Sequence, residues 1–175
     1  MEEKMQFRKT EEKDLDAVMQ IIDAAKEYLK AQEIPQWQDG YPNRESFQID
    51  IKNESSYVLE ENGKVLGTIA VYLNGDRNYC KIYKGNWLST DQPYAAIHRV
   101  AVDANRKGNG IAGKMIEEVV KLCLEKRIFS IKNDTHRLNQ SMQKMLEKNG
   151  FKRCGIIYLE NGEERIGFER ILPFH

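Results

Sequence analysis

A glycine-rich run, Lys107-Gly108-Asn109-Gly110-Ile111-Ala112-Gly113, follows the stretch Val100-Ala101-Val102 and opens a segment of helical periodicity. Where a strand gives way to a helix, main-chain N–H groups and the positive end of the helix dipole face the same way, and glycine lets a ligand approach them closely. The chemistry suited to such a turn is the grip of a phosphate or diphosphate. Arg106 and Lys107 add cationic side chains at its mouth. Gly108, Gly110 and Gly113 formally match the GxGxxG pattern of dinucleotide folds, and a nicotinamide-dependent oxidoreductase has to be weighed on that ground. That pattern belongs to the first βα turn of a larger parallel fold, whereas only about 60 residues follow it here and a hairpin precedes it. The Walker-type phosphate loop is absent from the sequence. A plainer alternative is a turn whose glycines only relieve backbone strain.

Other residues have types suited to proton transfer or to binding. His98 carries an imidazole, a group type suited to proton transfer near neutral pH, and lies in the strand-like run Ala95–Val102, where strand alternation puts His98, Val100 and Val102 on one face. Whether that face is a site or core stays open, the alternative being a histidine hydrogen-bonded within the sheet. Asn133-Asp134-Thr135-His136 looks reactive, yet Asp and Thr between a strand and a helix usually cap the helix. Trp37 and Tyr41, with Trp87, are candidates to wall an acceptor pocket on loops; a peripheral aromatic cluster or a dimer contact fits them equally. Asp39, Glu45 and Asp50 could attract a cationic acceptor, with a solvated surface as the default. His98, His136 and His175 show no metal spacing, and no metal site is expected.

The elements that must position these groups follow from periodicity and turn chemistry. Phe7 and Arg8 begin a short strand; Thr10 is expected to cap a helix whose buried face carries Leu15, Val18, Met19, Ile22 and Leu29. Residues 34–42, with two prolines and a glycine, form a loop, and a short helix follows over Arg44 to Lys52. Strands at Tyr57–Leu59 and Val65–Leu73 flank Asn62-Gly63, a hairpin turn, and a second Asn-Gly at Asn161-Gly162 joins strands Cys154–Leu159 and Glu164–Ile171. Gly75–Pro93 is polar and rich in turn formers and receives no element. A strand at Ala95–Val102, a helix carrying Ala112, Met115, Ile116, Val119 and Cys123, a strand at Ile128–Ile131 and a helix carrying Leu138, Met142, Met145 and Leu146 complete the order. Asn149-Gly150 suits a left-handed cap on that last helix. Interleaved strands and helices with hairpins at both ends predict a mixed sheet covered by helices.

With 175 residues, 41% apolar and 31% charged, the chain fits one globular domain, 1–175. Lys+Arg and Asp+Glu balance at 27 each, so no net field recruits nucleic acid or an anionic membrane. Cys80, Cys123 and Cys154 are an odd set without CxxC spacing, as expected of reduced thiols in a cytoplasmic protein, and neither a secretory leader nor a membrane span is expected.

Val100-Ala101-Val102 followed by Lys107-Gly108-Asn109-Gly110-Ile111-Ala112 resembles the hallmark of the GNAT superfamily of N-acetyltransferases. That hallmark is a strand ending in a Val-Ala-Val-like run, then Gln or Arg, two residues, Gly, one residue, and Gly or Ala at a helix start. Lys107 stands at the first position in place of Gln or Arg, with Arg106 before it. A second family feature, an Asn opening the next helix and a Gly-Phe pair after it, is similar to Asn139 through Gly150-Phe151. The resemblance spans about Gln6 to Ile171. It implies an α/β (α+β) fold with a mixed, mostly antiparallel central sheet, splayed in the middle and flanked by helices. It implies acetyl-coenzyme A as cosubstrate, its pantetheine along Val100, Ala101 and Val102, its diphosphate over Gly108 to Gly113 with Lys107, Asn109, Ile111 and Ala112 in the same cradle, and Asn139 touching it. The reaction implied is N-acetylation of a primary amine of a small molecule or peptide, with no nucleic-acid or membrane partner and a homodimer left open. His98 is the candidate base. Many members place an acidic tyrosine where this chain has Leu146, so Tyr158, Tyr94 or water must stand in, and a cofactor-binding module without transfer activity is the alternative.

Overall fold

Asn62 and Gly63 both adopt positive φ (52° and 83°), the backbone that a two-residue hairpin turn demands and that Asn and Gly supply most readily. They join strands β2 (Ser56–Glu61) and β3 (Lys64–Tyr72), and β1 (Met5–Lys9) pairs antiparallel with β2, Phe7 opposite Leu59. The computed structural model describes residues 4–174. The chain forms two compact units, residues 4–71 with Arg99–Glu118, and Tyr72–His98 with residues 119–174. Strand β4 (Ala95–Val102) and helix α3 (Ile111–Glu125) each contribute residues to both.

In the first unit, helices α1 (Leu15–Ala31) and α2 (Arg44–Lys52) follow the expected apolar spacing. Leu15, Val18, Ile21, Ile22 and Phe47 pack with Val58, Val65 and Ala101, each full burial of such a side chain stabilising by roughly 1.5–3 kcal/mol. Asn43 caps α2 reciprocally: Asn43 Oδ1 accepts from Ser46 N–H at 3.0 Å and Ser46 Oγ accepts from Asn43 N–H at 3.2 Å. Thr10 does not cap α1. Its hydroxyl lies 2.7 Å from the Ser56 hydroxyl, tying β1 to β2, and α1 starts only after a 3₁₀ turn at Glu12–Asp14. At Gly67 the neighbours come so close that a Cβ would meet Met115 Cε at 2.9 Å and the Ala101 carbonyl at 3.2 Å.

In the second unit, β5 (Ser130–Thr135), β6 (Lys152–Tyr158) and β7 (Glu164–Ile171) form an antiparallel set in the order β5-β7-β6. β4 joins β5 in parallel through Ala95↔Ile131 and Ala96↔Lys132; beyond these pairs the Asn133 amide, not a ladder bond, donates to Ile97 O at 2.7 Å. Among the described residues the hydrogen-bonded sheet has seven strands in the order β1-β2-β3-β4-β5-β7-β6 and is mostly antiparallel, flanked by helices. Helix α4 (Gln140–Lys148) ends as expected at Asn149 and Gly150 (φ 87°), with Phe151 N–H donating back to Leu146 O.

Two expectations change here. β5 lies at Ser130–Thr135 and not at Ile128–Ile131, because Lys132, Asn133 and Asp134 each find buried partners that a polar run does not advertise. Gly75–Pro93 is ordered by tertiary anchors. Tyr83 bridges Ile156, and the fully buried Glu169 carboxylate accepts from Leu88 N–H, Ser89 N–H, Ser89 Oγ and Ser130 Oγ.

Candidate functional site

In the first unit, the turn after β4 has the backbone its residue types predict. Gly108 and Gly110 sit at φ 82° and 76°, and nothing lies within 4 Å of the position a Cβ would take at either. Their smallness therefore serves no internal packing; it leaves an open cradle. The first α3 bond runs from Lys114 N–H to Gly110 O, so the N–H groups of Ile111, Ala112 and Gly113 precede the ladder, and the first turn carries no acidic residue. This arrangement fits a diphosphate on main-chain donors. The flanking cations are engaged elsewhere, against expectation: Arg106 Nη1 pairs with Glu61 Oε1 at 2.9 Å, and Lys107 Nζ sits 3.8 Å over the Tyr28 ring. Asp103 closes the turn by accepting from Asn105 N–H at 3.0 Å, and its own N–H donates to Leu66 O.

Val100 and Ala101 are buried and Val102 is half-buried. Arg99, between His98 and Val100, adopts φ 53°, which breaks the simple alternation expected of His98, Val100 and Val102. The conformation is held by charge. Arg99 Nε and Nη2 reach Asp50 Oδ2 at 3.1 and 2.5 Å, with side chains only 9% and 4% exposed, and Nη1 donates to the Tyr41 hydroxyl. Asp50 is thus a buried ion-pair partner and not a solvated surface acid. Tyr41 remains 46% exposed beneath the guanidinium, while Trp37 packs on the α1 and α2 core. Trp87, grouped with them in sequence, belongs to a different cluster with Tyr79 and Ala96.

In the second unit, His98 Nε2 lies 2.9 Å from Asp76 Oδ2, off the ring N–H direction, so the two groups are in close contact without a linear hydrogen bond. Burial raises the Asp76 carboxyl, but the His98 imidazole and the Asn78 amide outweigh it and hold the group below the usual carboxylate range. Tyr72 and Tyr79 flank the imidazole, with centroids at 5.4 and 5.9 Å. Tyr79 donates to Asp134 at 2.5 Å, and burial, then the nearby carboxylate, pushes its phenol far above the ordinary range. Asp134 is therefore a strand residue receiving a buried phenol, not a helix cap. His136 closes a local turn, its Nδ1 accepting from Leu138 N–H, and burial lowers its pKa.

Asn139 caps α4, its Oδ1 accepting from Met142 N–H at 3.2 Å. Leu146 is wholly buried and carries no proton. Tyr158, at the end of β6, is 41% exposed and meets Tyr83 edge-on. The Tyr94 hydroxyl is occupied: it donates to Asp76 O at 2.8 Å. Among the described residues no cluster of three or more His, Cys, Asp or Glu could hold a metal, and no helix is long and apolar enough to cross a membrane. Sequence reasoning missed Asp76, Tyr79 and Glu169; all three draw their roles from partners distant in the chain, and no local pattern marks them.

The sequence matches the acetyltransferase (GNAT) family over residues 18–151. An acetyltransferase of the GNAT family from Streptococcus agalactiae 2603 is 30% identical, with a TM-score of 0.87 over 97% of this chain and 96% of that one. A candidate acetyltransferase from Staphylococcus aureus Mu50 is 26% identical, with a TM-score of 0.74 over 96% and 99% of the two chains. The NatC complex bound to Gag peptide and CoA, at 16% identity and a TM-score of 0.68 over 97% and 99%, shares the fold alone. No curated protein matches the sequence. The chain belongs to the GNAT acetyltransferase family, whose chemistry is acyl transfer from acetyl-CoA.

Proposed function

We propose that this protein is a cytoplasmic N-acetyltransferase, a single domain over 1–175, that moves an acetyl group from acetyl-CoA to a primary amine of a small molecule or peptide. The observation that carries the reading is the open cradle at Gly108 and Gly110, where positive φ, empty space and the free end of α3 coincide. The family match runs through residues of both units, which supports reading the chain as one domain. Three cysteines without disulfide partners support a reducing compartment.

Acetyl-CoA supplies the activated thioester. The N–H groups at Gly108, Gly110, Ile111, Ala112 and Gly113 bind its diphosphate, with Lys107 and Asn109 at the rim, and the main chain of Val100, Ala101 and Val102 takes the pantetheine arm. Asn139 lies in the other unit, and its role toward the cofactor rests on the resemblance alone. His98 accepts the proton of the acceptor amine, and Tyr158, an exposed residue at the end of β6, serves the departing thiolate. Trp37 and Tyr41 frame the acceptor; the exposed Tyr41 ring and hydroxyl support this for Tyr41 more than for the packed Trp37.

One observation favours a second reading. Leu146, buried where many relatives carry an acidic tyrosine, leaves a module that binds acyl-CoA without transfer. Thiol release from acetyl-CoA separates the two, measured against lysine, spermidine, kanamycin and a peptide with a free N-terminus. The transferase reading expects release with at least one of these amines, and none with Gly110→Trp, whose ring fills the cradle. Binding of CoA without release by any amine supports the module, and normal CoA binding by Gly110→Trp overturns the site.

A further inference from the structure

Asp76 precedes the 3₁₀ turn Arg77–Tyr79 and is fixed from several sides. Its Oδ1 accepts from Asn78 N–H at 2.8 Å, and its main-chain carbonyl accepts from the Tyr94 hydroxyl at 2.8 Å. Its second oxygen, Oδ2, faces His98 Nε2 at 2.9 Å. The imidazole is half-buried between Tyr72 and Tyr79, and Tyr79 is itself pinned by its hydroxyl to Asp134. Nε2 is buried without a linear hydrogen bond, and the carboxylate 2.9 Å away is the charge it faces, which favours the tautomer that carries the proton there and leaves the lone pair on Nδ1.

We propose that Asp76 is a positioning residue for acetyl transfer, holding His98 in the tautomer whose Nδ1 takes the proton of the acceptor amine. The inference deepens the reading of His98 as base and rests on it. As the neutral amine nitrogen bonds to the thioester carbonyl carbon, the carbon–sulfur bond breaks and the amine proton passes to Nδ1. The departing sulfur takes a proton from Tyr158 or water, and the imidazolium returns its proton to solvent. Through that interval Asp76 stabilises the positive ring. The titratable and charged groups facing this pair are Tyr72, Arg77, Tyr79 and Tyr94, with Asp134 behind Tyr79.

Asp76→Asn tests the assignment without dismantling the turn. The amide oxygen stays on Asn78 N–H, so the NH₂ group faces Nε2 and selects the opposite tautomer. Imidazole ¹⁵N–¹H correlation spectra read it out directly, with His98 assigned by its loss in His98→Gln. The expected result is a proton on Nε2 in the wild type and on Nδ1 in Asp76→Asn. For whichever amine of the panel is turned over, kcat falls about 10²–10⁴-fold while KM for acetyl-CoA stays within about twofold, and Asp76→Glu restores part of the rate. An unchanged tautomer in Asp76→Asn overturns the role of Asp76. Full-rate transfer by His98→Gln overturns the base reading instead, through a separate measurement.

Discussion

The glycine turn after β4 and the surroundings of His98 are built on opposite plans. At the turn, the open surface is main chain, and side chains matter by being absent: Gly108 and Gly110 hold a backbone few residues tolerate and leave space before it. Around His98 the groups that face the ring are side chains from far away in sequence, as Asp76 and the Tyr79–Asp134 pair show. A main-chain device leaves a local signature, a glycine spacing at a strand-to-helix change. A side-chain device leaves none, because any polar residue in a loop reads alike until the fold supplies its partner.

The sharpest test of this contrast is His98→Gln, expected to lower kcat by about 10²–10⁴-fold with CoA affinity, measured calorimetrically, unchanged. Loss of affinity instead would merge the two regions into one. Asp50→Ala removes the carboxylate that faces the buried Arg99 guanidinium, and urea unfolding is expected to show a loss of about 3–5 kcal/mol. Gly108→Val forces a β-branched residue into φ 82°, a strain of about 1–2 kcal/mol; the turn should relax and CoA affinity drop by roughly tenfold, read by titration calorimetry. Tyr158→Phe removes a hydroxyl for which water can substitute, so a fall in kcat of only a few-fold is expected in stopped-time thiol assays. The last test needs no substitution. The folded-state pKa of Asp14 is depressed, chiefly by its Arg8 hydrogen bonds, and that of Asp76 by His98 and Asn78 against burial. A depressed carboxylate stabilises the fold above its unfolded pKa of about 4 and loses that contribution as pH falls through the folded value, so thermal unfolding scans should show the melting temperature declining below about pH 4.

Much of the fold was legible because its devices are local. Both Asn-Gly hairpins, the apolar stripes of α1 and α3 and the Asn149-Gly150 cap each follow from short-range stereochemistry. Thr10 misled because a hydroxyl before a helix has two uses, and the partner that decided, Ser56, is 46 residues away. Strand β5 was misplaced because burial of Lys132 against Trp87 and Tyr94 cannot be read from a charged residue in a polar run. At the candidate site, the cradle was visible, while Arg99–Asp50 and His98–Asp76 were not, since an ion pair between elements has no sequence period.

Glu169 makes the segment before β4 a passenger of the last strand. One carboxylate in β7 collects two amides and a hydroxyl from Leu88 and Ser89 and a further hydroxyl from Ser130. Transplanting residues 75–93 between relatives to exchange acceptor preference would thus carry only half of the grafted unit, and the recipient must also hold an acid at the position of Glu169 for the graft to set.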